Sequence, residues 1–156
     1  SSFNRFARPD ELAFCQDKIV FLEENQSVCY WGFDAQGRVW QSVDPDGPDW
    51  YEESNTLPDF LWILMHYQLA QGGYPYCGMK SVDEFPDDRA VTDYIDAYGW
   101  PLVIDTPGLA IYAQGCQLLW YLYDADDDIV TGIFTSCLHE SDFEALLEKH
   151  GFCDLG

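Results

Sequence analysis

Carboxylates dominate the reactive side chains of this sequence. It holds 28 Asp and Glu residues against 7 Lys and Arg, which gives a net charge of −21 with three neutral histidines. Such a charge disfavours direct binding to nucleic acid or anionic lipid, because phosphates would be repelled. It favours a basic protein partner or mimicry of a polyanion. An acidic housekeeping protein or a salt-adapted proteome is the alternative explanation of the same charge.

Two acidic loops are the strongest candidates for binding a partner. The first has two prolines and a glycine among its acids and ends on a tryptophan, and an aromatic ring rimmed by acids is typical of a binding hot spot for a basic protein. The second is a run of aspartates between two predicted strands. Solvated loop tips are the alternative in both cases. The candidate residues are Asp44, Asp46, Asp49 and Trp50 in the first loop, and Asp124, Asp126, Asp127 and Asp128 in the second.

The second loop resembles a calcium-binding loop only superficially. Ile129 stands where an EF-hand loop requires glycine, and Thr135 stands where it requires a bidentate glutamate. We therefore expect neither a metal nor another cofactor. A carboxylate-dependent hydrolase is a less favoured alternative, because a general acid needs a raised pKa in an apolar pocket.

Histidine and cysteine chemistry offers no catalytic pattern, so we expect a protein that is not an enzyme and has no catalytic residues. His66 lies inside an apolar helix, where a packed or hydrogen-bonded histidine is the expected state, and no recognisable nucleophile accompanies it. The cysteines form no C-x-x-C pair, which predicts six free, buried or half-buried thiols in a reducing cytoplasm. They are Cys15, Cys29, Cys77, Cys116, Cys137 and Cys153.

The order of predicted elements indicates an α+β fold, with a mainly antiparallel central sheet of about six strands flanked by helices. Thr56 begins the clearest helix, which is apolar nearly all round and is expected to be largely buried. Residues 74–88 are predicted to be mostly loop, and Ser141 begins the last helix with a capping box to Glu144. Strands are predicted at 18–24, 28–34, 38–43, 50–53, 109–113, 117–123 and 129–135, and a further helix at 87–98.

The stretch from 20 to 33, V-F-L-E-E-N-Q-S-V-C-Y-W-G-F, joins two of these strands. Asn25 and Gln26 are expected to satisfy backbone groups in a turn. Trp31 is expected to pack below that turn, with Gly32 permitting close approach. The residues of this pattern are Glu24, Asn25, Gln26, Trp31 and Gly32.

This pattern resembles the signature of the SUKH superfamily, which includes many bacterial immunity proteins of contact-dependent and polymorphic toxin systems. The likeness continues through Asp44-Pro45, Trp50-Tyr51 and the helix that opens Leu57-Pro58-Asp59-Phe60-Leu61, and covers about residues 9–69. Later residues match only in element order and in a closing D-F-E-x-L-L helix. Such domains usually open with a helix and a connecting segment, and residues 1–13 look like the end of that connection without the helix.

The resemblance implies a single SUKH-like domain over residues 1–156 that binds and neutralises a cognate toxin in the bacterial cytoplasm without catalysis. Many such toxins attack nucleic acid and so carry basic clefts, which an acidic surface would complement. No apolar run approaches the length of a membrane span, so no membrane association is expected. A scaffold or regulatory module of the same fold, and a nucleic-acid mimic, are the alternatives.

Overall fold

A computed structural model describes residues 4–156 and shows an α+β protein with three α-helices and two antiparallel sheets. The predicted class and the antiparallel pairing are confirmed. The strands divide between two six-stranded sheets, however, whereas the sequence predicts one central sheet. The chain forms two compact units, Ser1–Met65 and His66–Gly156. The single SUKH-like domain over residues 1–156 stays a prediction.

The first unit is a meander of antiparallel strands with the order β1-β3-β4-β5-β6, and β2 also pairs with β3. Short polar turns join β3 to β4 and β4 to β5, because neighbouring antiparallel strands need few connecting residues. The strands are β1 (Arg5–Phe6), β2 (Ala13–Cys15), β3 (Lys18–Glu23), β4 (Tyr30–Phe33), β5 (Val39–Ser42) and β6 (Tyr51–Ser54), and helix α1 (Leu57–Gln68) follows them.

The core of the first unit forms where one face of α1 meets the sheet. Phe60 of α1 packs edge-on against Phe21 of β3, with ring centroids 5.8 Å apart, and lies 6.2 Å from Trp31 of β4. Leu22, Val39 and Leu64 complete the buried cluster.

Helix α1 begins as predicted but is less buried than predicted. The Thr56 hydroxyl accepts a hydrogen bond from Asp59 N at 3.2 Å and donates to the Asp59 carboxylate at 2.6 Å. The side chains of Leu61, Trp62 and Met65 are exposed, and Trp62 retains half of its accessible surface. The expectation of a largely buried helix is therefore wrong. A π-helical turn, Leu69–Gly73, follows α1, and Gly72 there has a φ of 99° that favours glycine.

The second unit contains a six-stranded sheet in the order β12-β7-β11-β10-β9-β8. Its core includes Ile95 of α2, Leu119 and Ile133 of the central strands, and Phe143 and Leu146 of α3. The elements are β7 (Tyr76–Ser81), α2 (Asp88–Asp96), β8 (Leu102–Thr106), β9 (Leu109–Gln114), β10 (Gln117–Tyr123), β11 (Ile129–Cys137), α3 (Glu140–His150) and β12 (Cys153–Asp154), with a 3₁₀ turn at Val82–Glu84.

The prediction that residues 74–88 are mostly loop is wrong, because β7 occupies Tyr76–Ser81 beside the central strand β11. The sequence suggests that Gly78 is a loop residue, but in the structure its missing side chain allows the Phe143 ring and the Cys153 carbonyl to approach closely. A Cβ atom at this position would stand 3.0 Å from the Phe143 ring and 3.0 Å from Cys153 O. The glycine thus marks close packing within a sheet and does not mark a turn.

The predicted start of the last helix is also corrected. Helix α3 begins at Glu140, and its N-cap residue is His139, whose side chain makes no capping hydrogen bond. Ser141 therefore lies inside the first turn of the helix, and the S-x-x-E spacing to Glu144 does not form a capping box. Gly151 ends the helix in the left-handed conformation, with a φ of 69°.

Candidate partner-binding surfaces

The first acidic loop, residues 44–49 between β5 and β6, is held in one conformation by the buried hydroxyl of Ser42. That hydroxyl accepts a hydrogen bond from Asp44 N at 3.2 Å and has its single proton within reach of Asp49 O at 2.7 Å and of Asp44 O at 2.8 Å, so it links the two ends of the loop. Gln16 Nε2 donates to Gly47 O at 2.7 Å. The Asp44 carboxylate accepts a hydrogen bond from Asp46 N at 3.1 Å and so stabilises the turn. The side chains of Asp46 and Asp49 are exposed, which leaves their charges available to a partner.

Trp50 is half-buried, so it projects less than the sequence suggested. Its ring lies over Gly32, whose added Cβ would be 3.4 Å from the ring, and Lys18 Nζ stands 5.5 Å from the ring centroid. The buried Lys18 ammonium is also 2.6 Å from an Asp17 carboxylate oxygen and 5.0 Å from the Trp40 ring. Trp50 Nε1 is buried and has no hydrogen-bond partner among residues 4–156. Its role as an anchor for a partner stays a prediction.

The second acidic loop forms a tight turn between β10 and β11, and Asp124 shapes it. One carboxylate oxygen of Asp124 accepts from Asp126 N at 2.9 Å and from Asp128 N at 3.1 Å. Asp127 has a φ of 65° and donates its N–H to Asp124 O at 3.1 Å. All four aspartates are exposed. The Asp124 carboxylate therefore stabilises the turn, while the carboxylates of the other three aspartates are exposed to solvent.

Asp127 also lines a cavity of about 380 Å³ in the second unit, and two further carboxylates reach this cavity from other elements. Asp88 comes from the first turn of α2, and Asp105 comes from β8. We call this space the acidic cavity. It is lined by Asp88, Arg89, Thr92, Asp105, Tyr121, Tyr123, Asp127 and Ile129.

The walls of the acidic cavity are tied together by hydrogen bonds. Asp88 accepts a hydrogen bond from Ile129 N at 3.0 Å, which joins the start of α2 to the start of β11. The Tyr123 hydroxyl donates to Thr106 O at the end of β8. These contacts hold the three carboxylate-bearing elements in a fixed relation around the cavity.

The tyrosines of the cavity remain neutral well above neutral pH. Burial raises the pKa of Tyr123, and the Asp105 and Asp127 carboxylates raise it further because they repel a phenolate. Burial likewise raises the pKa of Tyr121, with smaller effects from Tyr112 and Asp105. Three carboxylates and one guanidinium, that of Arg89, line the cavity, so its net charge is negative beside neutral aromatic walls, an environment that attracts an organic cation.

Asp88 and Asp105 were not among the residues selected from the sequence. Asp88 reads as an ordinary helix start, and the β8 strand that carries Asp105 was not predicted because Pro101 and Pro107 flank it. Only the pairing of β8 with β9 and the packing of α2 bring the three carboxylates to one place. No local signal in the sequence could have identified this cavity.

The stretch at 23–27 forms the turn between β3 and β4, but its hydrogen bonds come from unexpected residues. The Glu24 carboxylate accepts from Gln26 N at 2.7 Å, and the Ser27 hydroxyl donates to Glu23 at 2.5 Å. The side chains of Asn25 and Gln26 are exposed, whereas the sequence pattern predicts that they satisfy backbone groups. Gly32 is buried, and an added Cβ would be only 3.2 Å from Lys18 Cβ.

Other chemistries find little support among the described residues. In the part of the chain from 4 to 156, no group of three or more His, Cys, Asp or Glu side chains is arranged to hold a metal ion. Within the same residues, no helix has the length and apolar character that a membrane crossing requires. Burial lowers the pKa of His150, whose ring lies 4.6 Å from the Tyr98 ring near the end of α3.

Comparison with known proteins adds no relative to this description. No family model matches it, and no curated protein or solved structure matches it either.

Proposed function

We propose that this protein is a non-catalytic immunity protein that binds and neutralises a cognate bacterial toxin with a basic surface. One observation carries the proposal: three carboxylates from separate parts of the second unit line the acidic cavity, and one of them, Asp127, belongs to the exposed Asp124–Asp128 turn. The resemblance to the SUKH superfamily suggests a toxin as the partner. The proposal also includes a cytoplasmic location, where such a toxin would act.

Electrostatics would serve the speed of this association more than its final affinity. A net charge of −21 accelerates encounter with a basic protein by steering, and this acceleration falls as salt increases. Affinity requires a few well-placed anchors that exclude water. In our proposal a lysine or arginine side chain of the toxin enters the acidic cavity, where Asp105 and Asp127 meet its charge and the tyrosines surround its stem.

The direct test is co-expression with a toxin candidate encoded beside this protein's gene, followed by pull-down and a growth-rescue assay. We expect a stable complex and restored growth. If the pair neither binds nor rescues, the proposed function is wrong. A scaffold or regulatory module would instead bind a cellular protein and have no toxin gene as its neighbour.

A double variant tests the site itself. Changing Asp105→Asn together with Asp127→Asn should weaken toxin binding roughly tenfold, mainly by speeding dissociation, because both carboxylates meet the anchoring cation inside the cavity. The matched control is Asp93→Asn with Asp96→Asn, which removes the same charge from exposed positions on α2. Equal losses in the two variants would mean that only the overall charge matters and would remove the cavity from the interface.

A carboxylate-dependent hydrolase is the second candidate, because the cavity gathers several carboxylates. That chemistry needs one carboxyl group with a raised pKa that can donate a proton. Carbon-13 NMR titration of the aspartate carboxyl groups would decide the matter. A cavity carboxyl that titrates near neutral pH would favour the hydrolase, and titration only at acidic pH would favour the binding protein.

A further inference from the structure

The sheet of the first unit has an open edge at strand β6. In the order β1-β3-β4-β5-β6, strand β6 has a neighbour on one side only, and it pairs there with β5. Its residues Tyr51, Glu52 and Glu53 are exposed, and Tyr51 keeps 63% of its accessible surface. An edge strand presents unpaired backbone N–H and C=O groups, which can bond to another extended chain.

The first acidic loop leads directly into this strand and is already ordered. Ser42 ties its two ends, and Gln16 ties its middle. A partner that meets Asp46 and Asp49 therefore does not have to order the loop, and the entropy cost of binding is reduced. Four carboxylates, those of Asp46, Asp49, Glu52 and Glu53, thus lie along one short segment that ends in an open strand, and partial burial raises the pKa of the Glu53 carboxyl.

We propose that β6 accepts a basic, extended segment of the partner protein as an additional strand, with the first acidic loop contacting the same segment. We call β6 with residues 44–49 the docking edge. The inference rests on the proposed function only in taking the partner to be a protein with a basic surface. Backbone hydrogen bonds to β6 would supply affinity, and the carboxylates would select lysine and arginine over acidic side chains.

The charges on this strand have another explanation. Acidic side chains and bulges on an edge strand commonly prevent aggregation. Strand β6 has such a bulge: Val39 and Trp40 of β5 pair with Ser54 and Glu52, and Glu53 is the extra residue between them. If protection were their only purpose, no ordered strand would form against β6, whatever the charge of the segment offered. The two explanations therefore predict different results.

The probe is a peptide of about eight residues that alternates lysine and valine, long enough to form one strand. Its control is the same peptide with methyl groups on four backbone nitrogens, two on each edge, which keeps the charge but blocks strand pairing. The measurement is amide hydrogen exchange of the ¹⁵N-labelled protein. We expect the unmethylated peptide to slow exchange within Tyr51–Ser54 roughly tenfold at about ten times its Kd, and the methylated peptide to have no such effect.

Two outcomes would overturn the inference. Equal effects of the two peptides would indicate attraction by charge alone, and protection confined to residues outside the docking edge would place the binding elsewhere. Neither result bears on toxin neutralisation, which the growth-rescue assay measures by itself. A failure of the docking edge can therefore be told apart from a failure of the proposed function.

A pair of charge reversals adds a second test. Glu52→Lys with Glu53→Lys should weaken binding of the unmethylated peptide by at least about fivefold more than Glu144→Lys with Glu148→Lys, an equal charge change on exposed positions of α3. Circular dichroism would confirm that both variants fold. Equal weakening of peptide binding in the two variants would contradict a specific docking edge. If the β6 variant does not fold, the comparison of the methylated and unmethylated peptides on the native protein decides whether β6 accepts a strand.

Discussion

Asp34 shows how one buried carboxylate can organise a turn that the sequence predicted only in outline. Its two oxygens accept hydrogen bonds from Gln36 N, Arg38 N, Arg38 Nε and Trp40 Nε1, at 2.9 to 3.0 Å. Burial by itself would raise the pKa of this group, but these hydrogen bonds outweigh burial and the pKa is lowered. The β4–β5 turn therefore depends on a charged Asp34.

The first prediction follows from this lowered pKa. A group with a depressed folded pKa contributes stability above its unfolded pKa and loses it as pH falls through the folded pKa. The variant Asp34→Asn should lower the Tm at neutral pH, because the amide cannot accept all four bonds. The difference in Tm between the native protein and the variant should shrink as the pH falls into the acidic range. Thermal unfolding monitored by circular dichroism across pH measures both effects.

The exposed Asp126→Asn is the control for this experiment. Asp126 accepts no hydrogen bond in its turn, where Asp124 provides the acceptor. Its replacement should leave the Tm nearly unchanged at every pH. A Tm difference for Asp34→Asn that does not vary with pH would contradict a role for the charged form.

The cysteines differ in a way that the sequence did not reveal. All six are free thiols, but Cys153 is exposed, in contrast to the prediction that every thiol is at least half-buried. Cys137 is fully buried, and burial raises the pKa of its thiol to about 11. The thiolate is the reactive form, so both the burial of Cys137 and its raised pKa should slow its reaction.

The second prediction is therefore a difference in labelling rate. Under native conditions near pH 8, Cys153 should react with a disulfide reagent such as DTNB much faster than Cys137, by about a hundredfold or more. Cys153→Ser should remove the fast phase, and Cys137→Ser should leave it intact. A fast phase that survives the loss of Cys153 would show that another thiol is open to the reagent.

At the scale of elements, the sequence predicted most helices and hairpins because their signals are local. Thr56 before α1 and Asp87 before α2 both cap their helices, and each accepts a hydrogen bond from the backbone three residues later. Strand β7 escaped prediction because its glycine and the nearby prolines resemble a loop. Its place beside β11 is decided by residues more than fifty positions away, which no local pattern reports.

The third prediction compares two positions with the same sequence signal. Thr56→Ala should cost about 1 kcal/mol of unfolding free energy, because it removes the hydroxyl that caps α1. Ser141→Ala should change the free energy by less than about 0.5 kcal/mol, because Ser141 lies inside α3 and caps nothing. Urea unfolding of the two variants measures the difference. Equal costs would mean that α3 begins at Ser141 after all.

At the scale of the whole molecule, composition predicted an acidic folded protein, while the partition of its strands was not predictable. Whether strands join one sheet or two depends on long-range pairing, as the order of the second sheet illustrates by setting β7 beside β11. The acidic cavity has the same origin, since Asp88, Asp105 and Asp127 are separated by at least 17 positions. Candidate residues on loops, Asp127 among them, could be selected from the sequence, but the cavity that Asp127 lines could not.

The excess charge leads to the last prediction, which concerns salt. Within residues 4–156, five of the seven basic residues form ion pairs, namely Arg5, Arg8, Lys18, Arg38 and Lys80, so most carboxylates have no cation to neutralise them. Their mutual repulsion destabilises the compact state. Raising NaCl from about 0.02 M to about 0.5 M shortens the Debye length from roughly 20 Å to about 4 Å, and should raise the Tm by several degrees.

The same salt should act in the opposite direction on partner binding. Screening weakens the steering of a basic protein toward this surface, so the association rate should fall while the Tm rises. KCl serves as the control, because screening depends on ionic strength and not on the identity of the monovalent cation. A Tm that falls with salt would show that the ion pairs outweigh the repulsion among carboxylates. An association rate that does not change with salt would show that the charge of −21 does not guide the partner.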